Sequence, residues 1–363
     1  MQFRYKKITV KIGSNVLTKP DGTLNVSRIA HLVDQIAFLR KNGVEVVVVS
    51  SGAVASGRAV IEPCKKTDNV SKRQLWAALG QVKLISRYSD FFNEHGLICA
   101  QVLTTKENFS SRGHYLNMKN CFSVLLENNV IPIVNENDTI SVTELMFTDN
   151  DELSGLIASM VNSDALILLS NVDGVFTEHP KSNNAKLVER INFSDKEPEN
   201  GISSESSGFG RGGMITKFKI AQKVAGDGIG VHVANGTREN VLIDLMDIEK
   251  DLKHTWFVPN KRTANGIKKW IGYSDDFATG EVVINSGAVI ALDSDKAVSL
   301  LPVGIIKISA EFKKGDLIRI IDESGKLIGV GKASYGSVKV DTEKNSEKHK
   351  PLVHYDYLYL ENK

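Results

Sequence analysis

Two lysines stand where charge could do chemistry. Lys217 closes the run Gly208-Phe209-Gly210-Arg211-Gly212-Gly213-Met214-Ile215-Thr216-Lys217, a glycine-dense loop that passes directly into a helical pattern. Glycines let the backbone approach an anion closely, a helix N-terminus turns free N–H groups and the positive end of its dipole toward the loop, and the lysine adds a full charge one turn in. The combination suits phosphate. Gly208, Gly210 and Gly213 satisfy G-x-G-x-x-G in form, but a dinucleotide site needs a strand immediately before it, and residues 201–207 are polar and loop-like. A Walker A loop fails too, because Lys217 follows Thr216 instead of preceding a Ser or Thr. A flexible Gly/Ser linker is the bland alternative at this point. Lys11 is the second lysine, near the end of the apolar run Ile8 to Ser14 and just before Gly13-Ser14. Lysine is unusual inside a buried strand, a snorkelling surface side chain being the ordinary alternative.

The elements that must position these lysines follow from periodicity. Apolar residues at Ile29, Leu32, Val33, Ile36 and Leu39 predict a helix from Asn25 to Asn42 stopped by Gly43, and the β-branched run Val44 to Val49 predicts a strand buried on both faces. The alternation then repeats, with helices expected at 71–93, 113–127, about 149–161 and 214–225, and strands at 97–103, 130–134, 165–169 and 229–234. Such alternation predicts an α/β fold, a three-layer α/β/α sandwich with a mainly parallel sheet, whose ligands bind at the carboxyl ends of the strands. The polar turns Lys11-Ile12-Gly13-Ser14, Ser50-Ser51-Gly52-Ala53, Asn135 to Thr139 and Ser170-Asn171-Val172-Asp173-Gly174 all follow strands, so one rim is expected to collect them. As ordinary turn or helix-capping residues, Ser51, Asp138, Asp149 and Asp151 need no function. From about Trp256 the pattern changes to short apolar runs split by glycine turns, which predicts a small β-barrel domain over 275–363, joined through 259–275 to a first domain of residues 1–258.

Composition narrows the classes. The chain has 363 residues and a formal charge of +2, with 16 Lys+Arg against 14 Asp+Glu after residue 260 and 29 of each before it, so neither part is a polycation built for nucleic acid. An RNA-binding protein working through its C-terminal β domain is the competing class. Three cysteines without C-x-x-C spacing and eight scattered histidines suggest neither a disulfide framework nor a zinc site, which fits a reducing cytoplasm. No apolar run approaches the roughly 18 residues of a membrane span, so no membrane partner is expected.

Taken together, Lys11-Ile12-Gly13-Ser14, Ser50-Ser51-Gly52-Ala53, the stretch Ser71 to Gln81, Asn135-Glu136-Asn137-Asp138, Asp149-Asn150-Asp151 and Gly212 to Lys217 resemble the amino acid kinase family over about residues 6–258. The last two motifs point to the branch that phosphorylates glutamate instead of those acting on aspartate, acetylglutamate or UMP, a sister kinase with another acceptor being the alternative among enzymes. Residues 277–335 are similar to a PUA domain. The resemblance implies transfer of the ATP γ-phosphoryl group to the side-chain carboxylate of L-glutamate, with ATP and Mg2+ as cofactors. It implies Lys11, Lys217 and Asp151 as catalytic residues, the aspartate orienting the lysines. Ser51, Gly52, Asp138 and Asn150 are the implied glutamate-binding residues, and Lys11, Ser170, Asn171, Arg211, Gly212, Gly213, Met214, Ile215, Thr216 and Lys217 the implied ATP-binding ones. Feedback inhibition by proline, a glutamyl phosphate reductase as partner and a homo-oligomer are further expectations of the resemblance. The chain departs from the family pattern at three places: Ser170-Asn171 replaces Thr-Asp, Arg211 replaces a Thr, and Thr148 replaces a Gly.

Overall fold

The computed structural model describes residues 1–109, 111–140, 147, 149–180, 182–195, 213–261, 266–294, 297–346 and 349–360. They group into two compact units, one of residues 1–108 and 116–263 and one of residues 109–115 and 264–363.

The elements of the first unit, in chain order, are β1 (Lys7–Ile12), α1 (Ser14–Leu17), α2 (Val26–Lys41), β2 (Glu45–Ser50), α3 (Ala53–Arg58), α4 (Asn69–Glu94), β3 (Cys99–Thr104), α5 (Arg112–Glu127, its first turn grouped with the second unit), β4 (Ile131–Glu136), α6 (Asn150–Val161), β5 (Ala165–Ser170), β6 (Arg190–Asn192), α7 (Met214–Gly226), β7 (Gly230–Asn235), α8 (Val241–Met246) and β8 (Thr255–Val258). The strands form one sheet in the order β3-β4-β2-β1-β5-β7-β8-β6. Pairing is parallel from β3 across to β7 and antiparallel between β7 and β8. Two strands are not legible in the periodicity. Strand β6 is three residues long, and β8 lies where the sequence pattern had changed to that of the C-terminal region.

Strand alternation explains where Lys11 points. Ile8, Val10 and Ile12 of β1, with Val46 and Val48 of β2 and Ile167 and Leu169 of β5, share a core with Ile29, Leu32 and Ile36 of α2, Leu84, Tyr88 and Phe92 of α4, and Leu242 and Leu245 of α8. Thr9 and Lys11 therefore face the other side, where α6 packs on β1. There the Thr9 and Ser163 hydroxyls lie 2.8 Å apart and both residues are buried. One layer of helices thus closes the apolar side, and α6 and α7 cover the side that carries the lysine.

The second unit adds α9 (Gly266–Gly272), β9 (Gly280–Ile284), α10 (Ser286–Asp293), β10 (Ile305–Ala310), β11 (Leu317–Ile321), β12 (Leu327–Lys332), α11 (Val340–Lys344) and β13 (Leu358–Leu360). Its five strands form a sheet ordered β10-β9-β11-β12-β13 around a core that includes Val282, Ile284, Ile318, Ile320 and Phe312. Helix α9 lies in the stretch read from sequence as a connector.

Helices α3 and α4 meet at two glycines. A Cβ on Gly57 would lie 1.8 Å from the Trp76 carbonyl oxygen, and one on Gly80 would lie 1.8 Å from that of Ala53. Backbone cannot yield to such an overlap as a flexible side chain can. Gly80→Ala is expected to cost about 1–3 kcal/mol through overpacking, seen as a melting temperature lower by about 5 °C; an unchanged melting curve would show that the two helices do not cross this closely.

Candidate active site

The ends of β4, β2, β1 and β5 are neighbours in the sheet, with Ile12 opposite Ser50 and Leu169, and Val49 opposite Val134. The polar turns read from sequence therefore share one rim. Asp151 lies at its centre, fully buried in the first turn of α6. Lys11 Nζ is 2.6 Å from its Oδ1 and Lys217 Nζ is 3.0 Å from its Oδ2. Both lysines are themselves buried, and the two ammonium groups are the only partners of the carboxylate oxygens among the described residues. Burial alone would raise the Asp151 pKa, but the two lysines outweigh it and hold the group at about 2. Burial likewise opposes the charge on Lys217, and Asp151 outweighs it, so the Lys217 pKa stands above its ordinary value. The arrangement sets two lysine side chains side by side on one carboxylate in a site nearly closed to water. Gly13 makes room for it: its N–H donates to the Leu169 carbonyl, and a Cβ there would come within 3.0 Å of that oxygen and 3.6 Å of Lys11 Nζ.

Asp149, the N-cap of α6, accepts from the N–H groups of Asp151 and Glu152 through Oδ1 at 2.9 and 3.1 Å. Its Oδ2 is buried and has no hydrogen-bond partner among the described residues. Burial, and then the charge of Asp151, push the Asp149 pKa up to about 7.

Next to this centre the Asn150 amide donates to Ser51 Oγ at 2.9 Å, to the Ser50 carbonyl at 3.2 Å and to Asn135 Oδ1 at 3.2 Å. Asn135 in turn donates to Gln81 Oε1 at 2.9 Å. Gly52 between them has φ +105, a left-handed conformation that glycine adopts without strain, and it starts α3. Asp138 is buried beneath Arg73, whose Nη2 and Nε lie 2.7 and 3.2 Å from its Oδ1. Burial pushes the Asp138 pKa up and Arg73 pulls against it. Glu136, which accepts from the Phe147 N–H at 2.9 Å, is pushed up to about 7 by burial and then by Asp138. The structure thus brings Ser51, Gly52, Asn150, Asp138 and the lysine centre to one rim.

Sequence reading missed Arg73, Gln74 and Gln81. All three reach the rim from α4, Gln74 Nε2 donating to the Thr139 carbonyl at 2.7 Å. Their signal was present as a polar stripe at positions 73, 74 and 81, close to one helical face, but the apolar stripe ending in Leu84, Tyr88 and Phe92 dominated the pattern.

Of the residues expected to bind ATP, Ser170 is buried at the end of β5 and its hydroxyl donates to Asn171 Oδ1 at 3.4 Å. Gly213 is the N-cap of α7, with Met214, Ile215 and Thr216 in its first turn before Lys217. Arg211, Gly212 and the rest of the loop from Gly208, together with Thr148, lie outside the described residues. Asp173 is held by Arg238 at 2.7 Å and by the Asn235 amide at 3.1 Å, closing the far side of this turn.

Asp149 generates a prediction. Its folded pKa, about 7 against an ordinary 3.8, means that ionisation is disfavoured by the fold, so its contribution to stability is greatest below about pH 4 and is lost as pH rises through 7. Asn caps a helix as well as Asp and carries no charge. Asp149→Asn is therefore expected to melt higher than the parent at pH 8, with a gap that shrinks toward pH 5; a gap independent of pH would contradict the electrostatic account.

Similarities to known proteins identify the family of the chain. A profile of the amino acid kinase family matches residues 6–235, and a PUA domain profile matches residues 280–349. A glutamate 5-kinase from Bacteroides thetaiotaomicron is 55% identical over 99% of this chain and 100% of its own length. One from Chlorobaculum tepidum is 46% identical over 98% of each chain. Among solved structures, an isopentenyl phosphate kinase substrate complex shares the fold at 17% identity with a TM-score of 0.52, covering 70% of this chain and all of that one. The chain belongs to the amino acid kinase family, within its glutamate 5-kinase branch.

Proposed function

We propose that this protein transfers the γ-phosphoryl group of ATP to the side-chain carboxylate of L-glutamate, giving L-glutamyl 5-phosphate, the first step toward proline. The observation that carries the reading is the buried Asp151 with both lysine ammonium groups on its oxygens, at the rim that also gathers Ser51, Asn150 and Asp138. Full-length similarity to glutamate 5-kinases supports the choice of acceptor.

The chemistry needs no general base, because a side-chain carboxylate is already ionised at neutral pH. An oxygen lone pair of that carboxylate forms a bond to the γ-phosphorus, the bond from phosphorus to the β-phosphate's bridging oxygen breaks, and ADP leaves with that electron pair. No proton changes hands. The obstacle is the approach of one anion to another, and positioned cations remove it. Lys11 and Lys217 take that role in this reading, and Asp151 holds their ammonium groups in place. Asp138 would receive the α-ammonium group, with Ser51, Gly52 and Asn150 around the α-carboxylate.

The described residues contain no group of three His, Cys, Asp or Glu able to hold a metal, so the Mg2+ expected for this family would be held chiefly by the nucleotide's phosphates, where it supplies further charge neutralisation.

The remaining expectations are part of the same reading. Proline would act as a feedback inhibitor near the loop from Asn135 to Asp151, and a reductase would consume the labile acyl phosphate. Self-association is supported by the apolar side chains left exposed around the free edge of the sheet, Leu103 on β3, Val82 on α4 and Val124 on α5. No helix among the described residues is long and apolar enough to cross a membrane, and we place the enzyme in the cytoplasm.

With ATP, Mg2+ and glutamate, hydroxylamine is expected to trap the acyl phosphate as a hydroxamate; hydroxamate from aspartate but not from glutamate would overturn the acceptor assignment. Lys217→Ala is expected to lower kcat by about a hundredfold or more, as loss of a preorganised charge contact does. A kcat near the parent's would show that this lysine does not face the transferring group.

A further inference from the structure

We propose that Arg73 is a positioning residue of the acceptor site: it holds Asp138 in the orientation that receives an ammonium group, and so makes the site prefer an amino acid over a plain dicarboxylate. The inference rests on the reading of Asp138 as an acceptor-side residue.

Two guanidinium nitrogens on one oxygen, at 2.7 and 3.2 Å, fix the rotation of the Asp138 carboxylate. The neighbouring residue fixes the turn itself, since Gln74 holds the carbonyl of Thr139 at 2.7 Å. The second turn of α4 thus grips the 138–139 turn at adjacent positions. The exposures are asymmetric: the Asp138 side chain is 9% exposed and that of Arg73 is 34%. A pair with a partly solvated arginine contributes little to folding, while burying an unpaired carboxylate costs a great deal. The pair therefore makes better sense as a device that keeps a buried carboxylate usable than as a staple.

The charges around it sharpen the point. Asp138 acts on Glu136 of β4 as a like charge, Glu152 on α6 does the same, and Lys106 lies 3.7 Å from Glu152. Arg73 is in direct contact with Asp138 and pulls its pKa down against burial. Without its attraction, burial would push Asp138 further toward the neutral acid, which cannot balance an ammonium ion. The change would be felt by the amino group of the acceptor and not by its side-chain carboxylate or by ATP.

The test is the hydroxamate assay on the full chain with glutamate and with glutarate, which has both carboxylates and no ammonium. In Arg73→Met the KM for glutamate should rise about tenfold or more, equivalent to about 1.4 kcal/mol, with kcat within about threefold of the parent and the KM for ATP unchanged. The glutamate-over-glutarate ratio of kcat/KM should fall by a similar factor, and the KM for glutamate should climb further as pH drops from 8 to 6. Arg73→Lys, which keeps the charge but loses the fork, should recover part of both losses. Parental KM and parental discrimination in Arg73→Met would overturn the proposal, as would a parallel loss of kcat, both KM values and thermal stability. Asp138→Asn separates the two layers of argument: if it abolishes discrimination while Arg73→Met does not, only the role of Arg73 falls; if it leaves discrimination intact, the acceptor assignment itself falls.

Discussion

The candidate site depends on one buried carboxylate shared by two buried lysines. Ion pairs removed from water recover their desolvation cost only with close geometry, and removing one partner leaves an uncompensated charge behind. Asp151 satisfies the geometry with contacts of 2.6 and 3.0 Å. It stands at the start of α6 because Asp149 caps that helix, Lys11 reaches it because β1 turns odd-numbered residues to the α6 side, and Lys217 reaches it from the first turn of α7. Three separate segments must be in register for the centre to exist. Two ammonium groups on one carboxylate leave a local excess of positive charge, which suits a polyphosphate.

The carboxylates along the rim carry the opposite imbalance. Asp149 and Glu136 are both driven up to about 7 and Asp138 is raised as well, with burial as the largest cause in each case. Such crowding works against the stability of the ligand-free protein, and strain of this kind is expected where a site is built for a ligand's charge and not for the fold. The neighbouring Asn150, Ser51 and Asn135 network is neutral and internally bonded, so it can hold its shape with or without ligand.

Much of the frame was legible in the sequence because periodicity is a local property. The parallel strands, the long helices and the rim of polar turns follow from alternating and 3.6-residue apolar patterns, and Asn25, Gly43 and Asp149 mark helix ends where their chemistry predicts. Strand β6 is too short to show a period, β8 sits beyond the apparent change of pattern, and α9 and α10 are short helices in a region dominated by glycine turns. Short elements of this kind are stabilised by tertiary packing and leave a weak local signal.

The residue types themselves determined the chemistry on offer: two lysines beside glycine turns, an acidic helix start, and an amide and a hydroxyl at strand ends. Tertiary structure alone decided which of them meet. Lys11 and Lys217 are 206 positions apart in the chain and share one carboxylate, and Arg73 meets Asp138 across 65 positions. No local pattern encodes such a pairing, because it depends on strand order, on the face of each element and on the close crossing of α3 and α4 at Gly57 and Gly80, which only the packed chain brings about.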